Sequence, residues 1–153
     1  MKHQITEQLN ATGKVRIVHT NAQGKTIKEF EVPNLVVTAG KNYIASKMVA
    51  TTNSPVSMNH MAIGTGTGTP AAGDTTLGAE VGRVSLVATP NSPSLNQNTY
   101  TATFPAGTGT GAITEAAVLN AASSGTMLCR TTFPVVTKAA GDSVAITWIV
   151  TVS

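Results

Sequence analysis

Residues 143–152 place Val144, Ile146, Trp148, Val150 and Val152 on one side of an extended chain, and Ser143, Ala145, Thr147 and Thr151 largely on the other. A period of two belongs to a β-strand with one dry face and one wetter face. Residues 99–104 repeat the pattern, with Thr99, Thr101 and Thr103 alternating with Tyr100, Ala102 and Phe104. Strands this rich in threonine fit exposed or subunit-facing antiparallel sheets better than a buried parallel one.

The rest of the chain reads in the same way. Residues 15–20 and 26–32 are strand-like and flank Asn21-Ala22-Gln23-Gly24, a hairpin turn by composition. Pro33-Asn34 ends the second strand. One short helix is expected near residues 38–50, with Thr38 as its cap and Gly40, Ile44 and Met48 on one face. Further strands are expected over 58–63, 79–88, 113–121 and 126–133. About eight strands result, and they predict an all-β antiparallel sandwich, jelly-roll-like, as a single domain over 13–153. Residues 1–12 are polar and aperiodic and read as a flexible N-terminal arm.

Ten basic and seven acidic side chains in 153 residues, with aromatics at 4%, leave little to solubilise the domain and little to fill a large core. Such a domain gains stability from subunit contacts, so a homo-oligomer, dimer or trimer, is the expectation. The basic residues are scattered singly and interrupted by acids, unlike the clustered, aromatic-interleaved pattern of nucleic-acid binders. Lys2, Lys14 and Arg16 are the candidate partner-contacting residues, placed to meet an acidic protein surface. No apolar run approaches the ~20 residues of a membrane helix. Residues 1–7 carry no apolar stretch of the kind a secretion signal needs, so synthesis in the cytosol is expected.

No constellation reads as a catalytic centre. The runs Gly64-Thr65-Gly66-Thr67-Gly68-Thr69 and Gly107-Thr108-Gly109-Thr110-Gly111 lack the Lys-Ser/Thr of a phosphate loop and the GxGxxG spacing, and are expected to build edge loops. His3, His19 and His60 have no metal-ligand spacing, and a hydrogen-bonded structural role is expected for His60. From residue 51 onward the acids are Asp74, Glu80, Glu115 and Asp142. Asp74 and Asp142 end two copies of Ala-Ala-Gly-Asp (71–74 and 139–142), where an aspartate bonds the turn backbone. Glu115 is expected to accept backbone N–H bonds or to pair with Arg83 or Arg130. Cys129, the one cysteine, sits in an apolar run and reads as a buried, inert thiol. Trp148 falls on the apolar strand face and reads as core. No cofactor, metal or enzymatic activity is expected.

Several strings in order carry a resemblance. Asn59-His60-Met61-Ala62-Ile63-Gly64-Thr65-Gly66 leads into Ala72-Gly73-Asp74-Thr75-Thr76-Leu77-Gly78-Ala79-Glu80-Val81-Gly82-Arg83. Then come Gly107-Thr108-Gly109-Thr110-Gly111-Ala112-Ile113-Thr114-Glu115-Ala116, the stretch Ser124-Gly125-Thr126-Met127-Leu128-Cys129-Arg130-Thr131, and Ala145-Ile146-Thr147-Trp148. Over about residues 34–153 the chain resembles small virion structural proteins and fibre-type domains of tailed bacteriophages. The resemblance implies a β-sandwich structural protein of the virion, made and assembled in the bacterial host cytoplasm. A capsid decoration (cement) protein, contacting copies of itself and the major capsid protein, is the leading expectation. A tail, baseplate or fibre module for host-surface attachment is the alternative. Neither membrane nor nucleic acid is an expected partner.

Overall fold

The computed structural model describes residues 8–49, 54–91, 93 and 96–153. Ten strands and one helix follow in order: β1 (Ala11–Thr20), β2 (Thr26–Pro33), β3 (Leu35–Val36), α1 (Thr38–Ser46), β4 (His60–Gly64), β5 (Glu80–Ser85), β6 (Val87–Pro90), β7 (Gln97–Phe104), β8 (Gly111–Leu119), β9 (Met127–Lys138) and β10 (Ser143–Val152). They form two five-stranded sheets, ordered β2-β1-β10-β7-β6 and β3-β9-β8-β4-β5. Every pairing is antiparallel. The all-β antiparallel sandwich expected from the sequence is the fold observed.

Strand periodicity places the core. In β10, Val144, Ile146, Trp148 and Val150 are buried and face Phe104, Ala102 and Tyr100 of β7 along the same sheet. Val15 and Ile17 of β1 continue this inner face. Met61 and Ile63 of β4, Ala116 and Val118 of β8, and Leu128 and Cys129 of β9 meet them from the second sheet. Trp148 is fully buried and Cys129 is a free, buried thiol, as their apolar neighbours in the sequence predict. Burial pushes the Cys129 thiol well above its usual range, which keeps it protonated.

The second sheet is covered on its outer face as well. Residues 113–119 of β8 are buried without alternation. A separate small cluster of Val37, Ala62, Leu77, Ala117, Leu119 and Met127 lies on that outer side. It is roofed by the long β4–β5 connection, residues 65–79, which folds back over the sheet. Alanine at 62 and 117 leaves room for backbone to approach closely.

Three sequence expectations need correction. The stretch 79–88 is two strands, because Leu86 turns a corner and β6 joins the opposite sheet from β5. The two-residue β3 is too short for any periodicity to reveal it, so ten strands stand where about eight were expected. The helix begins at Thr38 with Val37 as its N-cap and no side-chain cap, so Thr38 does not cap it. It ends at Ser46, ahead of the expected 50, and Met48 lies past it, 80% exposed. Residue 50 lies outside the described residues, as do residues 51–53 of the loop expected next.

Tyr43 and Ile44 pack this short helix on the core, and Gly40 sets how closely it approaches β9. Gly40 is buried against the β9 backbone, where an added Cβ would lie 2.7 Å from the Leu128 carbonyl carbon. Gly40→Ala should therefore destabilise the protein by about 1–3 kcal/mol in urea unfolding, despite alanine's better helix propensity. Gly73→Ala, where nothing lies within 4 Å of the added carbon, should stay within about 0.5 kcal/mol of the parent.

Candidate functional site

The buried ionic groups gather at the roofed outer face of the second sheet. Between Ile113 and Glu115 the β8–β9 register shifts, and this irregularity sets Glu115 under the roof loop. Its side chain is fully buried. One carboxylate oxygen, Oε1, accepts the N–H groups of Gly66 and Ala79 at 2.9 and 2.8 Å. The other, Oε2, accepts Gly78 N–H at 3.0 Å and the Arg130 Nε and Nη2 donors at 3.1 and 2.8 Å. Arg130 spends its remaining reach on the Gly68 carbonyl at 3.0 Å and on Asp74 Oδ2 at 2.6 Å. Thr114 Oγ1 donates to the Gly66 carbonyl at 2.8 Å. One carboxylate and one guanidinium thereby hold both ends and the middle of residues 65–79.

This network explains the first glycine-threonine run. A Cβ on Gly64 would lie 2.5 Å from Glu115 Oε1, and one on Gly66 would meet the same oxygen. The glycines are the positions that let the loop close on the carboxylate. The second run abuts this end of the fold: Gly109, at φ 65°, packs against Gly82 of β5 and the Ile63 side chain. Both runs are loops at the sandwich edge, packed closely at Gly66 and Gly109 and open at Gly68 and Gly107.

The two Ala-Ala-Gly-Asp segments are one structural device used twice. In each, the aspartate N–H donates to the carbonyl of the first alanine, Asp74 to Ala71 at 3.0 Å and Asp142 to Ala139 at 3.1 Å. The aspartate Oδ2 then accepts that alanine's N–H, at 2.9 and 3.0 Å. The same oxygen also meets a buried basic side chain. That partner is Arg130 for Asp74, and His19 Nε2, at 2.8 Å, for Asp142. Beside the second turn, Lys138 is 1% exposed and donates to the Pro105 carbonyl at 2.9 Å. Burial holds its ammonium pKa below the usual value, with Asp142 opposing the shift.

All three carboxyls are held below their ordinary range. For Asp142 the main cause is the His19 hydrogen bond, followed by the Ala139 N–H. For Asp74 it is the Ala71 N–H, which with Arg130 outweighs burial. At Glu115 burial is the largest influence and works in the opposite direction; the Ala79, Gly78 and Gly66 amides and Arg130 together overcome it. Every oxygen of Glu115 is occupied and shielded from solvent, so this carboxylate locks a loop and has nothing left to offer a substrate.

Elsewhere, Arg83 chelates Glu80 at 2.9 and 2.7 Å and donates to the Ala121 and Ser124 carbonyls, both at 2.9 Å, fixing the β8–β9 turn. Of the two pairings open to Glu115 in the sequence, Arg130 is the real one. His60 Nδ1 lies 2.6 Å from Asn59 Oδ1, a hydrogen-bonded structural position. Among the described residues no group of His, Cys, Asp and Glu is disposed to hold a metal ion, and no helix is long and apolar enough to cross a membrane.

The candidate partner-contacting residues fall apart. Lys2 lies outside the described residues. Lys14 and Arg16 are not in an arm: both sit on the outer face of β1. There Arg16 Nε donates to Glu29 at 2.9 Å and Lys14 lies 3.9 Å from Glu31 across the β1–β2 pair. The strand itself starts at Ala11, so the sheet takes in two residues of the expected arm.

What sequence reading missed is a groove of about 400 Å³ at the side of the sandwich, between α1 and β6. Tyr43 and Ile44 of α1, Met58, Leu128, Tyr100 and Ala88 form its walls. Ala88 and Pro90 are both exposed although they line this inner side, which means that the second sheet does not cover β6. Burial pushes the Tyr100 hydroxyl far above its usual range, so it stays protonated.

Compared with family models, curated proteins and solved structures, the chain finds no match.

The carboxylate network sets two expectations. Glu115→Gln, which keeps the shape but leaves Arg130 without its buried counter-charge, should cost about 3 kcal/mol or more in urea unfolding. Because the three carboxyl pKa values are lowered in the fold, their stabilisation is full above the unfolded-state values near ~4 and lost as pH falls below them. Stability followed by thermal melts should therefore hold from pH 7 to about 5 and drop below about 4. The drop should be shallower in Glu115→Gln.

Proposed function

We propose that this chain is a non-enzymatic structural protein of a tailed-bacteriophage virion, suited best to capsid decoration. In this role it packs against copies of itself, as a dimer or trimer, and against the major capsid protein. It acts in the virion after synthesis and assembly in the host cytoplasm. The observation that carries the reading is the Glu115–Arg130–Asp74 lock. It commits the buried Glu115 and Arg130 to fastening a loop across the outside of a sheet, which makes a rigid tile rather than a reactive cleft. The ordered strings resembling small phage virion proteins supply the particle.

The distribution of charge supports the same role. Arg16, Lys14, Arg83 and Arg130 are each paired with a carboxylate of the same chain, and the other lysines are scattered singly in the sequence, unlike the clustered cations of a nucleic-acid site. Apolar side chains, by contrast, lie open around α1, with Leu9, Met48, Val49 and Val56 between 58% and 80% exposed. Modest contacts of this kind, repeated over many copies, add up to a firm attachment.

The second reading, a tail, baseplate or fibre module that attaches to a host surface, is favoured by the groove holding Tyr43 and Tyr100, because aromatic walls suit sugars. Copy number decides between them. Quantitative mass spectrometry of purified particles should find on the order of hundreds of copies for decoration, against a dozen or fewer for a tail part. Deleting residues 1–7 should lower particle occupancy without shifting the melting temperature. Deletion through Thr12 would in addition remove the Ala11–Val152 and Thr12–Thr151 pairings and destabilise the fold itself.

A further inference from the structure

The groove beside α1 borders an open strand edge. Among the described residues β6 ends its sheet and pairs with β7 alone. Asn91 N–H donates to the Gln97 carbonyl at 3.1 Å, and this sets the parity of the hairpin. Antiparallel bonding alternates along a strand, so Thr89 and Val87 bond inward to Thr99 and Thr101. The N–H and C=O of Ala88 and the C=O of Pro90 therefore point to the free edge. The side chains of these two residues line the groove. An extended peptide added beside β6 has backbone partners along the edge and an apolar trough for alternate side chains.

Among the described residues that line the trough, the one charged side chain is Lys47. Residues 32–73, which include α1 and the Met58 wall, carry Lys41 and Lys47 and no carboxylate; residues 84–114, which include β6 and β7, carry no charge at all. Lys47 stands at the rim, its ammonium 5.2 Å over the Tyr43 ring and bonded to Ser54 Oγ and the Pro55 carbonyl. A second copy placed symmetrically on this surface would bring a second pair of lysines, its own Lys41 and Lys47, into the same contact with no added carboxylate from these segments. A segment bearing carboxylates is attracted instead.

We propose that the β6 edge and the groove beside it form a docking site for an extended, apolar-acidic segment of a neighbouring protein, bound as an added strand with its carboxylates toward Lys47. The proposal rests on the reading of the chain as an assembly subunit for why such a segment would be met. Its test needs no particle, so its failure would leave the copy-number measurement untouched, and the reverse also holds.

The probe is acetyl-Val-Leu-Val-Asp-Asp-amide, titrated into the ¹⁵N-labelled full chain, with the counterpart ending in Lys-Lys as control. The acidic peptide should shift the amides of β6 and α1 saturably, and the basic one should bind at least about fivefold more weakly. Lys47→Glu, an exposed change, should weaken the acidic peptide by about five- to tenfold. Ala88→Pro, which removes the outward N–H and spares the inward bonds of Val87 and Thr89, should abolish the β6 shifts, and Ala88→Phe should block the groove if the proline variant fails to fold. Equal binding of both peptides, shifts confined to other surfaces, or no saturable shift overturns the proposal. Shifts that appear on raising protein concentration alone would make the surface a self-contact, and shifts produced by sodium decanoate but not by the peptide would make it a lipid site. Either result also overturns it.

Discussion

The pairing of Glu115 with Arg130 is the contact on which the second sheet depends. A buried carboxylate is costly unless its oxygens are filled, and here five donors fill them. Three of those donors are backbone amides of the loop that roofs the sheet. Satisfying the charge and closing the roof are thus the same event. Without the roof, the outward faces of Ala62, Ala117 and Leu119 would lie open to water, and the small outer cluster would have no lid. The pair gains specificity as well as energy, because only glycine at 64 and 66 lets the loop approach the carboxylate closely enough.

The repeated Ala-Ala-Gly-Asp turn extends this logic to the far edge of the molecule. A carboxylate oxygen that caps its own turn is oriented before it meets a partner, so less side-chain freedom is lost when the ion pair or hydrogen bond forms. Asp74 delivers that oxygen to Arg130 and Asp142 delivers it to His19, on opposite sheets of the sandwich. A chain with seven acids places three of them in this kind of bond. Low total charge is consistent with a fold that uses charge for fastening.

How much of this was legible in the sequence follows from the range of each interaction. Strand alternation is local, so the long strands β7 and β10 and the hairpin at Asn21–Gly24 could be read directly. The turn roles of Asp74 and Asp142 were legible for the same reason, since donor and acceptor lie three residues apart. Glu115 was placed as an acceptor of amides, but the choice of Arg130 over Arg83 is set by the β8–β9 register, which pairs Ala117 with Arg130. The break at Leu86 was hidden because residues 79–88 keep a strand-like composition through the corner. Lys14 and Arg16 were read as residues that meet an acidic partner surface, whereas acids of their own chain on β2 come within reach only once the hairpin has closed. The groove was invisible because its walls come from α1, β6, β7, β9 and β10, and nothing in the composition of Ala88 or Pro90 marks a face left uncovered.

That uncovered face is the counterpart of the lock. The second sheet is shielded outside by its own loop and inside by the first sheet, with Val81 and Val135 left exposed on its strands. Among the described residues no such loop covers the first sheet: its β6 edge overhangs the core with Ala88 and Pro90 exposed, and the exposed pair Met48 and Val49 follows the end of the helix beside it. Apolar side chains are exposed elsewhere too, at Ile27, Val81 and Val135, but beside α1 they adjoin an open strand edge and a groove, a combination that suits association. A rigid body loses less entropy on docking than a flexible one, so the Glu115 lock on one side of the sandwich strengthens whatever contact is made on the other.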